Sequence, residues 1–381
     1  MREVVIIGVG STVFGKFPER RLDELGREAV EAAIRDAGIT PRDIQFAYCA
    51  NLYGGMVIGQ AVLREVGITS IEVTNIENAC AGGATSLRRA WYDIATGLYD
   101  IGVAIGVESM TTAPIAGKLI TPAKGDLSAE LGMNTVARFA FCMRRYMEKY
   151  DVSLEQIAKV SVKNHHNGCL NPYSQYHKEL TIEEILNSRM ICDPITLLQC
   201  CPNSDGAAAA ILCPMSIARR YTSQPISITA SVVKMGEYDH RWKELAASEV
   251  TYKIANEAYE MAGVGPEDID VCELHDAFAY NEVSHCEELG FCGWGEGGRL
   301  IDEGATETGG RIPVNPSGGL LSKGHPVSAT GVAQIAELVW QLRGEAGERQ
   351  VADAKVGLAH VLGGEVANLE AGAGAIHILK R

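Results

Sequence analysis

The chain has 381 residues, of which 46% are hydrophobic and 22% charged, and its formal net charge at pH 7 is −14. This length and composition predict a globular protein with two domains, and the negative balance without a basic block argues against nucleic acid as a partner. The eleven cysteines follow no secretory leader, and the longest apolar run, residues 207–217, is too short to span a bilayer. We therefore expect a reduced, cytoplasmic protein without a membrane segment.

The first predicted strand, residues 4–8, leads into the sequence GVGSTV at residues 8–13. This resembles the start of a dinucleotide-binding loop, but Val13 stands where the third glycine should be, and Pro18 interrupts before any helix can begin. We therefore do not expect NAD binding.

A pattern near the start of the chain recurs later. An amphipathic helix predicted at residues 22–37 is followed by Gly38, a proline turn and then a strand, and the same order is repeated at Gly263, 225 residues further on. A second pair of predicted strands, 103–110 and 357–367, each runs into Gly-x-Glu. Two matches in the same order predict a duplicated α/β fold.

The repeat places the two halves at residues 1–224 and 225–381. Residues 111–200, approximately, break the repeat inside the first half and contain two predicted helices and a polar stretch. An insertion of this size usually covers a functional site or an interface.

Two groups of residues near this insertion could suggest a metal or redox site. His165, His166 and Cys169 are close in sequence, but adjacent histidines point to different faces of a helix and no second ligand pair follows. We expect packing roles for them, as for the adjacent Cys200 and Cys201, and no metal in this chain.

The candidate nucleophile is Cys80, in the sequence ENACAGGA at residues 77–84. A buried strand is predicted at 70–74 and a helix at 84–97, so Cys80 lies close to a helix N-terminus. The unpaired N–H groups and the helix dipole favour an anion there, so we expect the pKa of this thiol to be lowered. Its small neighbours let a substrate approach closely.

Three histidines of the second half are candidates to act with this cysteine. His275 follows the repeated strand at its carboxyl end, where open α/β sheets bind ligands. His325 opens a predicted helix at residues 327–343, as Cys80 does in the first half, and His360 lies in a strand that ends in a glycine turn. Together they predict a Cys–His–His site shared between the halves.

Six motifs in chain order resemble the thiolase superfamily: ENACAGGA at 77–84, GVESM at 106–110, SDGAAAA at 204–210, HDAF at 275–278, NPSGGLLSKGHPVSATG at 315–331 and HVLGG at 360–364. The resemblance is to the branch of sterol-carrier-protein-2-type and acetyl-CoA acetyltransferase-like thiolases, and it covers essentially the whole chain. It implies an α/β thiolase fold, in which two duplicated βαβαβαββ halves form a five-layered αβαβα sandwich.

The resemblance also implies roles for the candidate residues. Cys80 would take the acyl group, and His325 would deprotonate it and contribute to an oxyanion hole for the CoA-ester enolate. His275 would act in the same hole, while the backbone N–H groups of Cys80 and Gly363 would form a second hole for the tetrahedral intermediate. Two holes make sense because the two steps develop negative charge on different oxygens.

One departure from the family pattern concerns the second acid/base. Many thiolases use a second cysteine on the α-carbon, but Ala277 and Val361 stand at the places that would carry it. Either His275 or His360 could take that role, or a cysteine elsewhere in the chain, such as Cys286.

The resemblance implies coenzyme A as co-substrate, and Arg241 and Lys243 are candidates for contacts with its phosphates. It further implies a homodimer or tetramer. Relatives of this branch often act with a small zinc-ribbon and OB-fold (DUF35-type) protein, which here would be a separate polypeptide.

The expected activity is CoA-dependent cleavage of a 3-oxoacyl-CoA, or the reverse Claisen condensation. Acetoacetyl-CoA is one expected substrate, and a bulkier or aromatic one such as 2-benzoylsuccinyl-CoA is another. Two alternatives stay open: a decarboxylative ketoacyl synthase, because such enzymes use a Cys–His–His set without a second thiol, and a non-catalytic acyl-CoA- or lipid-binding subunit.

Overall fold

The computed structural model describes residues 1–114, 116, 130–237, 244–365 and 371–381. Its strands are β1 Val4–Ser11, β2 Phe46–Ala50, β3 Glu72–Ile76, β4 Gly102–Ser109, β5 Met190–Cys192, β6 Ile195–Thr196, β7 Asp205–Pro214, β8 Ile226–Lys234, β9 Val271–Glu273, β10 Val356–Glu365 and β11 Ala371–Lys380. Its helices are α1 Leu22–Ala37, α2 Ile58–Val66, α3 Gly82–Thr96, α4 Thr135–Tyr150, α5 Leu154–Cys169, α6 Ile182–Leu186, α7 Met215–Ala218, α8 Glu249–Ala262, α9 Ala279–Glu288, α10 Gly297–Asp302, α11 Gly319–Ser322 and α12 Val327–Arg343.

The main sheet shows the predicted duplication. Its strand order is β3-β2-β4-β7-β1-β8-β11-β10-β9, so the first five strands come from the first half and the last four from the second. The inner pairings of the two halves match: β2 and β4 are parallel, as are β9 and β10, and each half continues towards the centre of the sheet through antiparallel pairs. At the outer edge of the first half, β3 and β2 are also parallel. Only two register pairs, Val5 with Ser227 and Ile6 with Ile226, join the two half-sheets.

The half-sheets differ at their outer edges. Beside β2 lies β3, whereas beside β9 the described residues form only a single parallel bridge, between Cys272 and Val314. Pro313 and Pro316 flank that bridge, and proline has no N–H to continue a ladder. Among the described residues, the second half therefore has one strand fewer than the duplicated βαβαβαββ pattern implies.

Side chains alternate between two apolar layers along each strand. In β1, Ile6 belongs to the cluster that contains α3 and α12, whereas Ile7 belongs to the cluster with α1 and α2. The second half-sheet likewise turns one face to α3 and α12 and the other to α8 and α9. The layers are therefore α1/α2, half-sheet, α3/α12, half-sheet, α8/α9, which confirms the five-layered sandwich.

The central helices α3 and α12 cross where neither carries a side chain. A Cβ atom added to Gly83 would lie 2.6 Å from the carbonyl oxygen of Ser328, and one added to Gly331 would lie 2.5 Å from the backbone nitrogen of Ala84. Glycine is therefore required at this crossing, because any side chain would force the two main chains apart.

The predicted bounds of α1 and α12 agree with the structure. The strand predicted at 70–74 begins later, at Glu72, and it is not buried: it lies at the edge of the sheet, and Glu72, Thr74 and Asn75 are exposed. The boundary at 224/225 stays a prediction. Within the described ranges, no helix combines the length and the apolar character needed to cross a membrane.

Candidate active site

Cys80 lies in a tight turn directly before α3. The turn, Ala79–Ala81, is a single 3₁₀ turn, and Ala79 adopts a φ of +47°, which is rare for a residue with a Cβ. Local bonds fix it: Ala81 N–H donates to the Asn78 carbonyl at 3.0 Å, and Ala79 N–H donates to the Glu77 carboxylate at 2.7 Å. The half-buried Cys80 thus faces a cavity of about 850 Å³.

The structure brings Cys80, His275 and His325 together. His325 Nε2 lies 3.3 Å from Cys80 Sγ, and the rings of His275 and His325 are 5.3 Å apart in an edge-on arrangement. One ligand atom from each of the three residues lies within 4.8 Å of the others. A sulfur of the first half and two imidazoles of the second therefore meet in one cavity.

His325 is oriented on both sides. Its Nδ1 lies 2.8 Å from Oγ1 of Thr330, which belongs to the first turn of α12, and its backbone N–H donates to Ser204 Oγ at 2.9 Å. Gly324 precedes it with a φ of +111°, which favours glycine. With Nδ1 held by Thr330, Nε2 is directed at the thiol.

The HDAF segment that carries His275 is fixed by a buried carboxylate, Asp276. Its oxygens accept from Leu320 N–H and from the side-chain amide of Asn164, both at 2.7 Å. Leu320 belongs to α11 and Asn164 to α5, so one side chain joins the second half to the insertion.

The expectation of a lowered pKa at Cys80 is wrong. Burial, and after it the carboxylate of Glu108, raises the pKa of Cys80 to about 12, although the N–H groups of Cys80 itself and of Gly364 act in the opposite direction. The effect of burial on the pKa exceeds that of the helix N-terminus, because a buried thiolate loses more solvation free energy than the nearby N–H groups supply.

The neighbouring imidazoles are neutral as well. Burial lowers the pKa of His325 to about 3, and burial with the neighbouring His325 and His285 lowers the pKa of His275 well below its ordinary value. The resting pair is therefore a thiol beside a neutral imidazole. In such a pair the thiol becomes a nucleophile when its proton is transferred to Nε2 of the imidazole during the attack.

Glu108 and Thr330 were not identified as site residues from the sequence. The Glu108 carboxylate accepts from Leu52 N–H at 2.8 Å and from Ser328 Oγ at 3.0 Å, so it links the Cys80 half to α12. Glu108 belongs to the GVESM motif, and Thr330 belongs to the SATG end of the motif at 315–331. The repeated Gly-x-Glu pattern is the sequence feature that could have identified Glu108. Their roles depend on contacts between the halves, which short motifs do not reveal.

Other candidates lie elsewhere. His360 is fully buried, does not line the cavity, and places Nε2 at 3.2 Å from Thr251 Oγ1. Cys286 packs in the outer apolar cluster of the second half-sheet, so it does not fold into the site. Arg241 and Lys243 lie outside the described residues.

Gly363 packs directly against the Cys80 turn: a Cβ there would lie 2.4 Å from the Asn78 carbonyl oxygen and 2.6 Å from Ala81 N. The N–H that acts on the Cys80 sulfur belongs to the next residue, Gly364. The part of Gly363 in an oxyanion hole stays a prediction.

His165 is buried while His166 is exposed and bonds Glu179 at 2.8 Å. These histidines form no three-ligand cluster with Cys169 within the described ranges, where the only such group of His, Cys and acidic residues is Cys80, His275 and His325.

Two family models match the chain and together span most of it. The one described as thiolase, N-terminal domain, matches residues 4–216, and the one described as thiolase C-terminal domain-like matches residues 233–375.

Named relatives align over nearly the whole chain. The acetyl-CoA acetyltransferase of Methanothermobacter thermautotrophicus is 41% identical over 388 residues, which is 100% of each protein. The benzoylsuccinyl-CoA thiolase subunit BbsB of Thauera aromatica is 38% identical over 95% of each. Sterol carrier protein 2 of Bos taurus is 39% identical over 94% of this chain and 70% of its own length.

A solved structure, the Ltp2-ChsH2(DUF35) aldolase, is similar with a TM-score of 0.85 and 28% sequence identity, covering 98% of this chain and 97% of that one. Fold, motif order and full-length relatives agree with one another, and the chain belongs to the thiolase family.

Proposed function

We propose that this thiolase cleaves a 3-oxoacyl-CoA with free CoA through an acyl-Cys80 intermediate, or runs the reverse Claisen condensation. The observation that carries the proposal is the 3.3 Å contact between Cys80 Sγ and His325 Nε2 at the wall of a large cavity, with His275 beside them.

In the cleavage direction, His325 accepts the thiol proton while Cys80 attacks the 3-oxo carbon. The carbonyl oxygen becomes an alkoxide, which the N–H of Cys80 and the Gly363–Gly364 turn stabilise. Each such donor contributes roughly 100-fold or more in comparable oxyanion holes.

Collapse of the alkoxide breaks the bond between the α- and β-carbons. The electron pair passes into an enolate on the CoA ester, whose oxygen accepts hydrogen bonds from the now protonated His325 and from His275. CoA then displaces the acyl group from Cys80, and His325 returns its proton to the sulfur.

The test uses acetoacetyl-CoA and CoA with the Cys80→Ala variant, and Cys200→Ala as a matched control because Cys200 also lines the cavity. We expect Cys80→Ala to lose acetyl-CoA formation and the gain of one acetyl group seen by mass spectrometry after incubation with acetyl-CoA. Retained turnover in Cys80→Ala would contradict the proposal. So would CO₂ release from malonyl-CoA, or an aldehyde from a 3-hydroxyacyl-CoA, in place of CoA-dependent cleavage.

The cavity supports a substrate larger than acetoacetyl-CoA. Its volume of about 850 Å³ lies near the upper end of small-molecule pockets, which span roughly 300–1,000 Å³. Phe139, Phe278 and Tyr280 line it, and Ala277 takes little room. We expect kcat/KM to be higher for aromatic or longer 3-oxoacyl-CoA esters than for acetoacetyl-CoA; a steady fall with acyl size would contradict this.

Coenzyme A as co-substrate and a cytoplasmic location complete the proposal. All eleven cysteines are free thiols, which fits a reducing compartment. Contacts of Arg241 and Lys243 with the CoA phosphates stay predictions, to be tested by KM for CoA in Arg241→Ala and Lys243→Ala.

We further propose a homodimer or tetramer and a separate DUF35-type partner. The exposed edge strand β3 offers unpaired backbone groups to a second copy. The name of the similar solved structure, Ltp2-ChsH2(DUF35) aldolase, includes a DUF35 component, and BbsB is named a subunit. Light scattering of the purified chain, and its activity with and without a co-expressed partner, test both points.

A further inference from the structure

The proposed cleavage leaves one proton without a donor. The enolate released when the α–β bond breaks must be protonated at its α-carbon to become an acyl-CoA. Neither Ala277 nor Val361, which stand where a second thiol is expected, carries an ionisable group. Val361 also packs with Ala81 in an apolar cluster and does not line the cavity.

A different cysteine lies directly beside Ala277. The backbone N–H of Cys201 donates to the Ala277 carbonyl at 2.9 Å, and the preceding Cys200 forms an antiparallel bridge with Phe278. The segment that carries Cys201 is thus attached to the HDAF motif of the second half, although it belongs to the first half.

The same segment is attached to the base on its other side. Asn203 forms a parallel bridge with His325, and Ser204 Oγ accepts the His325 N–H at 2.9 Å. The segment of residues 200–204, which includes Cys201, therefore lies between the two histidine motifs and contacts both of them.

Cys201 shares a cavity with the reacting groups. It is half-buried and lines the cavity together with Cys80 and His275. His275 is 5% exposed and lines the same cavity. Burial, with the neighbouring thiols of Cys200 and Cys80, raises the pKa of Cys201 well above its ordinary value, so this thiol is protonated and can act as an acid.

We propose that Cys201 is the general acid that protonates the α-carbon of the enolate in cleavage, and the base that removes the same proton in condensation. The inference rests on the proposed thiolase function of the Cys80 site.

The protons balance over the cycle. Cleavage consumes the S–H bond of Cys201 and forms a C–H bond at the α-carbon, leaving a Cys201 thiolate. The thiol proton of the incoming CoA restores Cys201, and the CoA sulfur forms the new thioester bond. The sulfur of Cys80 leaves as the acyl group departs and takes its proton from His325, so all groups return to their starting state.

The competing groups are less well placed. His360 lies behind the cavity wall with Nε2 on Thr251, and Cys286 lies in the outer apolar cluster. His285 lines the cavity, with Nδ1 at 2.6 Å from Glu288, and is the matched comparison in the test.

The experiment separates α-carbon chemistry from acylation. Exchange of the acetyl-CoA α-hydrogens with D₂O reports the first, and acetylation of Cys80 by 4-nitrophenyl acetate, whose leaving group needs no protein proton, reports the second. We expect Cys201→Ala to lose α-exchange by about 100-fold or more, while acetylation stays within about threefold. Adding Ala277→Cys to that variant should restore exchange. Residue 277 lines the same cavity, and its carbonyl accepts the N–H of residue 201, so the new thiol replaces the lost one nearby.

Retained α-exchange in Cys201→Ala, or a loss confined to His285→Gln, would overturn the assignment. If Cys201→Ala loses both reactions, Cys201→Ser decides: lost exchange with normal acetylation supports the role, and loss of both overturns it. The Cys80→Ala result tests the thiolase function independently, so the two failures can be told apart.

Discussion

The two halves deliver their reacting groups from equivalent positions, directly before α3 and α12, yet the two loops are built differently. Residues 77–81 connect β3 to α3 in a short turn that presents the half-buried Cys80. Residues 274–326 connect β9 to α12 in a long excursion that presents His325, 6% exposed.

The difference lies in what holds each loop. The short turn relies on bonds among its own residues. The long loop relies on the insertion, where buried asparagines of α5 and the residues after it reach across: Asn167 donates to the Asn315 carbonyl at 3.0 Å, and Asn171 donates to the Ser317 carbonyl at 2.8 Å. The position of the nucleophile thus depends mainly on residues near it in the sequence, whereas the position of the base depends on contacts with residues far from it in the sequence.

The largest effect is expected when the long loop loses its reacting group. His325→Ala should lower kcat by about 1,000-fold, because the Cys80 thiol then loses the base that lies at hydrogen-bond distance. Rates of Cys80 alkylation by iodoacetamide should fall with it. His166→Ala is the control, since His166 is exposed on the insertion; a loss of less than about tenfold in His325→Ala would contradict the assignment.

A side chain placed against the short turn should be nearly as harmful. Gly363→Ala puts a Cβ 2.4 Å from the Asn78 carbonyl oxygen, so the Cys80 turn must move. We expect kcat to fall by about 100-fold, since a shift of about 1 Å can cost that much. Gly309→Ala, where a Cβ meets nothing within 4 Å, should leave kcat unchanged; equal rates in the two variants would refute the contact.

Removing one support of the long loop should have a smaller effect. Asn171→Ala leaves the buried Ser317 carbonyl unpaired, at a cost of about 1–3 kcal/mol in the free energy of unfolding. We expect kcat to fall by about tenfold because His325 is less well placed, while the exposed Asn187→Ala control changes neither. Urea unfolding and steady-state kinetics measure both quantities, and a drop in stability with unchanged kcat would show that the insertion does not position the base.

The smallest expected effect concerns charge. Glu108 raises the pKa of Cys80, so Glu108→Gln should lower that pKa, and the alkylation rate at a fixed lower pH should rise about threefold. Glu77 raises the same pKa less, so Glu77→Gln should shift the pH profile less. An alkylation profile that moves to higher pH in Glu108→Gln would show that the carboxylate acts through its hydrogen bonds instead.

The comparison also explains what could be predicted from the sequence. The bounds of α1 and α12, the pairing of Cys80 with His325 and the duplicated order follow from local periodicity, glycine stops and repeated motifs. The exposure of β3 could not be predicted, because strand order in a sheet is set by distant residues. The raised pKa of Cys80 depends on burial and on Glu108, which only the packed halves bring together.

The cysteine pair before β7, Cys200 and Cys201, is another feature whose position could not be predicted from the sequence. Cys201 gives no periodic or motif signal of its own, and packing was the natural expectation for it. Its position beside Ala277 arises because a first-half segment runs between two second-half motifs.

The glycine crossing of α3 and α12 has a consequence for how this site can change. Because main chain meets main chain at Gly83 and Gly331, the spacing of the two helices that follow Cys80 and His325 is set by backbone contact. Substitutions in the cavity wall that leave these two glycines in place can therefore change which acyl groups fit without changing the spacing of the two helices.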